Sequence, residues 1–266
     1  MVKVDATIHD NSIAKFINKM KSEKINISRI TYTNDGVELE GLVLQNHASP
    51  GRKSPGVVFI HGHQSSCWLS ICLGYALYKK GFNVFIPSQR GYGLSGGRPD
   101  FCGPKTVGGV IRGIQHFLRL PFVDKNKLGI WGISRGATVA ASVAIQAPAL
   151  FKAVILQSGA YDLKSHYDST PIEGIREIIK KEIGISKSAF IKRSPIHKIG
   201  KIKAPILILH GKNDERVLVE QAKMLEEKLN QINHSHKTVI LDNELHILSK
   251  STRHDYVWPF LNKYLK

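Results

Sequence analysis

The sequence predicts an α/β protein: a mostly parallel sheet with helices on both faces and an antiparallel hairpin at its N-terminal end. Three observations predict it. Short unbroken apolar runs such as GVVFIHG (56–62) and FNVFIP (82–87) suit strands buried on both faces. Stretches with apolar residues at helical spacing stand between them. The segment ISRITYTNDGVELEGLVLQ (27–45) alternates apolar and polar residues on both sides of Asn34-Asp35-Gly36, a hairpin signal. Alternating strands and helices build a parallel sheet. Right-handed crossovers then bring the C-terminal ends of the strands to one edge, where sites form.

The elements follow in order. The hairpin comes first, then the strand 56–62. A helix is expected over 68–81, stopping at Gly81. After the strand 82–87 comes the Gly-rich loop RGYGLSGG (90–97). A helix over 107–120 places Val110, Ile114, Phe117 and Leu118 on one face. KLGIWG (127–132) reads as a strand, and ATVAASVAIQA (137–147) as a helix apolar all round and so buried. Further strands are expected at 152–158, 204–211 and 237–242, with an amphipathic helix at 217–232. A final helix over 251–265 is interrupted near Pro259. Residues 160–203 exceed a normal crossover. They read as a helical insertion over the site edge, within one domain spanning 1–266.

Composition narrows the class. The chain has 266 residues, 42% hydrophobic and 22% charged, as in an ordinary globular protein. Its 3 Cys (Cys67, Cys72, Cys102) show no disulfide or zinc spacing and read as packing residues in a reducing compartment. The stretch 1–24 has no unbroken apolar core of a secretory leader. No stretch approaches a membrane span. A cytoplasmic location is expected. The net charge of +17 comes from lysines spread along the chain with no nucleic-acid motif, so it reads as a basic surface and no nucleic-acid partner is expected. GYGLSGG lacks the pattern of a dinucleotide or phosphate loop. Arg90 is expected to pin that loop by hydrogen bonding.

The chemistry centres on GIWGISRGATVAAS (129–142), which holds Ser134 between Gly132 and Gly136. Gly-x-Ser-x-Gly between a buried strand and a small-residue helix fits a sharp turn with the serine at its tip. The competing reading is a helix N-cap serine. A nucleophilic serine needs a base, and the base an orienting acid. Asp214 follows the strand 204–211, and His246 follows the strand 237–242, so both fall at the same edge in the order the motif requires. Glu215 and Asp242 are alternative acids; His234, His236 and His254 are alternative bases at less suitable places. His210 reads as a structural histidine. An oxyanion needs donors: the amide of Arg135, after the serine, and that of His63 in FIHGHQSS (59–66), with Gln64 next. Gln64 and Tyr92 are expected to contact substrate. His61 and His63 alternate without a carboxylate, so no metal site is expected.

Together, HGHQSS, RGYGLSGG, GISRGA, HGKNDERV and the histidine of NELH resemble an α/β-hydrolase over about residues 28–265. GGVIRGIQHFLRLPFVDKNKLGIWGISRGA and SPIHKIGKIKAPILILHGKNDERV are similar to the catalytic domain of the prolyl oligopeptidase (S9-type) group and to single-domain esterases. That resemblance implies Ser134, Asp214 and His246 as a catalytic triad, with no cofactor. The expected activity is a serine hydrolase, foremost a carboxylesterase acting on small acyl esters. An S9-like peptidase of aminopeptidase or acylaminoacyl-peptidase type is the alternative. A non-catalytic anion-binding protein on the same fold is the alternative of another class. The expected partner is a small ester or short peptide.

Overall fold

A computed structural model describes residues 11–46 and 53–266. The first ten residues of the stretch read for a leader lie outside the described residues. Strands β1 (Asn26–Asn34) and β2 (Val37–Gln45) form the hairpin. They join at Asp35 and Gly36, whose φ of 53° and 67° are those of a two-residue turn matched to strand twist. Six further strands follow: β3 (Ser54–Ile60), β4 (Asn83–Pro87), β5 (Val123–Ile133), β6 (Ala153–Gln157), β7 (Ile206–Gly211) and β8 (His236–Leu241). They make one eight-stranded sheet in the order β1-β2-β4-β3-β5-β6-β7-β8. The pairs β1–β2 and β2–β4 are antiparallel; all others are parallel.

The unbroken apolar runs serve both faces. Along β3, Val58 and Ile60 enter one core while Val57 and Phe59 enter the other. The first core packs against α3 (Pro104–Phe117), α4 (Arg135–Gln146) and α8 (Glu220–Gln231). The second packs against α1 (Asn11–Ser22), α2 (Ile71–Lys79) and α10 (Trp258–Leu265). Trp131 of β5 is wholly buried there, edge-on to Phe59 at 5.0 Å and to Trp258 at 6.0 Å. Each fully buried large side chain of this kind stabilises by about 1.5–3 kcal/mol.

Helix α1 was not among the expected elements. Its apolar positions Ile13, Ile17 and Met20 recur at helical spacing and are buried. The final helix is broken differently from the expectation. A short helix, α9 (Lys250–Thr252), runs into a π-helical turn at Arg253–Val257 before α10, and Pro259 stands in the first turn of α10. The residues before it are already helical, so its missing N–H breaks the backbone ladder next to the π-helical turn.

Between β6 and β7 the chain forms α5 (Leu163–Ser169), α6 (Glu173–Ile183), α7 (Lys187–Arg193) and a 3-10 helix at Pro195–Lys201. Leu163, Ile179 and Phe190 anchor this segment in the first core. No helix among the described residues is long and apolar enough to cross a membrane.

Candidate active site

Ser134 sits at the tip of the β5–α4 turn with φ 57° and ψ −126°. A side chain in that region costs on the order of 1–3 kcal/mol, which the surroundings must hold in place. They do so by close packing. A Cβ at Gly132 would overlap the Gly136 carbonyl, and one at Gly136 would overlap the Ile60 carbonyl. The Ser134 amide donates to Gln157 O at 2.8 Å, tying the turn to β6. Ser134 makes no side-chain capping bond to α4, so the N-cap reading has no geometric support.

Two loops bring chemistry to Ser134. His246, after β8, places Nε2 2.9 Å from Ser134 Oγ. Its Nδ1 lies 2.8 Å from Asp214 Oδ2, after β7. A carboxylate only accepts, so Nδ1 carries the proton and Nε2 is free to accept from the serine hydroxyl. Ser158 Oγ donates to the His246 carbonyl at 3.0 Å and fixes the loop. Gly211 lets that loop approach, because a Cβ there would overlap the Glu244 and Leu245 carbonyls. Asp214 is 3% exposed. Burial alone would raise its pKa, but hydrogen bonds from His210, His246 and the Val217 amide hold it well below the usual carboxylate range. The amides of Arg216 and Val217 reach Oδ1 at 2.9 and 3.0 Å.

The alternative residues lie elsewhere. Asp242 is exposed and pairs with Lys212 at 2.8 Å. His254 is exposed beside Asp255, and His234 bonds Ile202 O. His236 opens β8 and bonds the His234 carbonyl, and Glu215 is exposed. His210 bonds Val217 O at 2.8 Å and stands 3.2 Å from Asp214.

The 61–64 turn passes over the serine. A Cβ on Gly62 would stand 3.5 Å from both Ser134 Cβ and Ile133 O. Neither the His63 nor the Arg135 amide donates to a protein group among the described residues. The His61 ring donates from Nδ1 to Gly62 O (2.8 Å) and accepts at Nε2 from the Gln89 amide (2.9 Å). Both ring nitrogens are thus engaged, and the ring braces the turn. No cluster of metal-binding side chains occurs among the described residues.

Ser134, His246, His63, Gln64 and Arg135 line a cavity of about 670 Å³. Leu69, Leu73, Phe101, Ile133, Val217 and Ile247 also line it, with Ile172, Ile175 and Ile178 from the α6 segment. Such a volume suits a small molecule or a few residues of peptide. No Asp or Glu is among the described residues that line it.

Three residues stand differently from expectation. Tyr92 is not among the lining residues: its hydroxyl is engaged by His63 and Arg135. Cys72 is exposed and lines the cavity, unlike the buried Cys67 and Cys102. Arg90 makes no hydrogen bond through its buried Nε and Nη1; its guanidinium packs against Gly97 and lies 3.8 Å from Asp35. The Gly-rich loop is pinned instead by Glu40, a fully buried carboxylate on β2. Glu40 takes bonds from the Leu94 amide (2.8 Å), Ser88 Oγ (3.1 Å), Arg29 Nε (2.8 Å) and Trp68 Nε1 (3.3 Å). The alternation in β1 and β2 marked the strands but not this inward-facing acid.

Known proteins resemble this chain in sequence or in fold. The model of the prolyl oligopeptidase family matches residues 74–266. The uncharacterized peptidase YtmA of Bacillus subtilis is 28% identical over 227 residues, 82% of this chain and 84% of that protein. The acylamino-acid-releasing enzyme of Sus scrofa is 24% identical over 234 residues, 81% of this chain but 32% of that one. Among solved structures, the acylaminoacyl peptidase of Pyrococcus horikoshii superposes with a TM-score of 0.80 at 23% identity, over 94% of this chain and 44% of the other. The likeness to that structure is one of fold, and this chain spans less than half its length.

Proposed function

The chain belongs to the prolyl oligopeptidase family and so to the serine hydrolases, and from that premise we propose that Ser134 opens carboxylic amide or ester bonds by covalent catalysis. The observation that carries this reading is the relay Ser134 Oγ–His246 Nε2–Asp214, at 2.9 and 2.8 Å, beside the cavity. Ser134 Oγ attacks the carbonyl carbon while His246 Nε2 takes its proton. Asp214 fixes the tautomer and stabilises the imidazolium. The His63 and Arg135 amides receive the oxyanion. His246 then protonates the leaving group, and water releases the acyl group by the same steps in reverse.

Between the two hydrolase readings, the relatives support the peptidase alternative over a carboxylesterase of small acyl esters, since several are named for releasing acylamino acids. The cavity supports a blocked amino terminus within that class. A free ammonium drawn into an apolar cavity needs a carboxylate partner, and the described lining offers none. An N-acylated aminoacyl group, neutral and partly apolar, fits better.

The test uses a fluorophosphonate probe on the wild type and Ser134→Ala. Labelling of the wild type alone is expected, with hydrolysis falling by at least about 10⁴-fold in the variant. A folded wild type that takes no label would overturn the reading in favour of a non-catalytic binding protein. N-acetyl-aminoacyl anilides, free aminoacyl anilides and simple p-nitrophenyl esters then rank the substrates. Preference for the free amine would sink the blocked-terminus assignment.

A further inference from the structure

The two residues proposed to supply oxyanion amides are also joined through their side chains. Arg135 Nη1 donates to Tyr92 Oη at 2.8 Å. An arginine only donates, so the Tyr92 oxygen accepts from it and gives its own proton to His63 Nδ1, 2.8 Å away. Arg135 Nη1 itself lies 3.4 Å from the same His63 nitrogen. The other side of the guanidinium is taken by Glu182 of α6, at 3.0 Å from Nη1 and 2.7 Å from Nη2. Glu182 also accepts from the Phe101 amide at 2.9 Å. The guanidinium lies over the Phe101 ring at 4.7 Å and the Tyr92 ring at 5.1 Å.

This network is built, not incidental. The Arg135 and Glu182 side chains are 3% and 11% exposed. A buried pair of this kind is costly to break from one side, because the remaining charge is left without compensation. Burial also pushes Tyr92 up to about 12, so its hydroxyl keeps its proton across the working range. Burial and the Arg135 charge hold His63 below its ordinary value, so its Nδ1 stays an acceptor.

We infer that Tyr92 and Glu182 are positioning residues for the oxyanion donors: Glu182 on the α6 helix clamps Arg135, and Tyr92 links Arg135 to His63, so the two amides are held in one register. This rests on the hydrolase reading above and goes beyond it. The α6 segment that lines the cavity thereby also sets the geometry in which the tetrahedral intermediate is stabilised. Since donor placement counts most where charge develops, misalignment should appear in kcat and in affinity for tetrahedral mimics, not in ground-state binding.

The experiment compares wild type, Tyr92→Phe, Glu182→Gln and Glu182→Asp on one p-nitrophenyl ester, with Ser134→Ala as control. Melting temperature and inhibition by a trifluoromethyl ketone are measured on each. Tyr92→Phe is expected to lower kcat by about tenfold with KM within about twofold, and to weaken the ketone by the same factor. Glu182→Gln should do the same more strongly, with Glu182→Asp recovering part of the loss. If Glu182→Gln does not fold, Tyr92→Phe decides alone. A lower melting temperature with kcat and ketone affinity unchanged would show a merely structural network and overturn the inference. Wild-type hydrolysis that persists in Ser134→Ala would instead remove the hydrolase reading beneath it.

Discussion

His210 Nε2 stands 3.2 Å from Asp214 Oδ2, the same oxygen that His246 Nδ1 reaches at 2.8 Å. One carboxylate oxygen is thus shared by two histidines. His210 also donates to the Val217 carbonyl, closing the 214–217 turn. Its removal and that of the acid should therefore separate. His210→Leu leaves a buried acceptor unmet and should cost about 1–3 kcal/mol in a denaturant midpoint. Its effect on kcat should stay under about tenfold. Asp214→Asn presents a donor to His246 and imposes the wrong tautomer, so kcat should fall by about 10³–10⁴-fold with the fold kept. Equal losses from the two variants would contradict this division.

The turn at Ser134 tolerates no side chain on either flanking glycine. Gly132→Ala or Gly136→Ala should destabilise by about 2 kcal/mol or more, since the overlap is with backbone carbonyls that cannot rotate away. Thermal unfolding and soluble yield measure it. A Gly136→Ala protein of unchanged melting temperature would show that β3 can withdraw from α4.

Glu40 lies on the hairpin, far along the chain from the loop it holds. Glu40→Ala should cost about 2–4 kcal/mol, because it strips partners from a buried indole, a hydroxyl and an amide. Activity should fall with it, as the 88–97 loop carries Tyr92. Chemical denaturation beside a kcat measurement checks both; full activity with lowered stability would uncouple the loop from the site.

Two buried histidines make stability depend on acid. Burial, aided by the Arg135 charge, brings His61 down to about 4; burial, aided by His246 against the pull of Asp214, does the same for His166. The unfolded chain, with histidines near about 6.5, binds more protons between those values. Stability is therefore full above about 6.5 and is lost as pH falls towards about 4, by up to about 3 kcal/mol per group. Protonated His61 would also lose its acceptor for the Gln89 amide. Melting temperature measured from pH 7 to 4 should drop steadily, less steeply in His166→Leu. A flat profile would count against both assignments.

Much of the fold was legible because its signals are local. Unbroken apolar runs gave β3, β4 and β7, and the Asp35-Gly36 turn gave the hairpin, since backbone twist admits few residues there. Helix α1 also carries its period, in Ile13, Ile17 and Met20, but among many polar and basic neighbours. At the site, Ser134 was marked by its glycines. Asp214 and His246 were marked by following strands whose ends share an edge.

What the sequence determined by itself is the chemistry on offer: a serine in a turn too tight for side chains beside it, and an acid and a base following later parallel strands in order. Periodicity and steric exclusion act over a few residues, so they can be read along the chain. Only the tertiary structure decided which groups meet. It brings Glu40 to the Gly-rich loop, sets Tyr92 behind His63 instead of in the cavity, and closes Glu182 of α6 onto Arg135. These contacts join residues 54, 29 and 47 positions apart, respectively. Their partners are chosen by the packing of whole elements, and no local pattern records that choice.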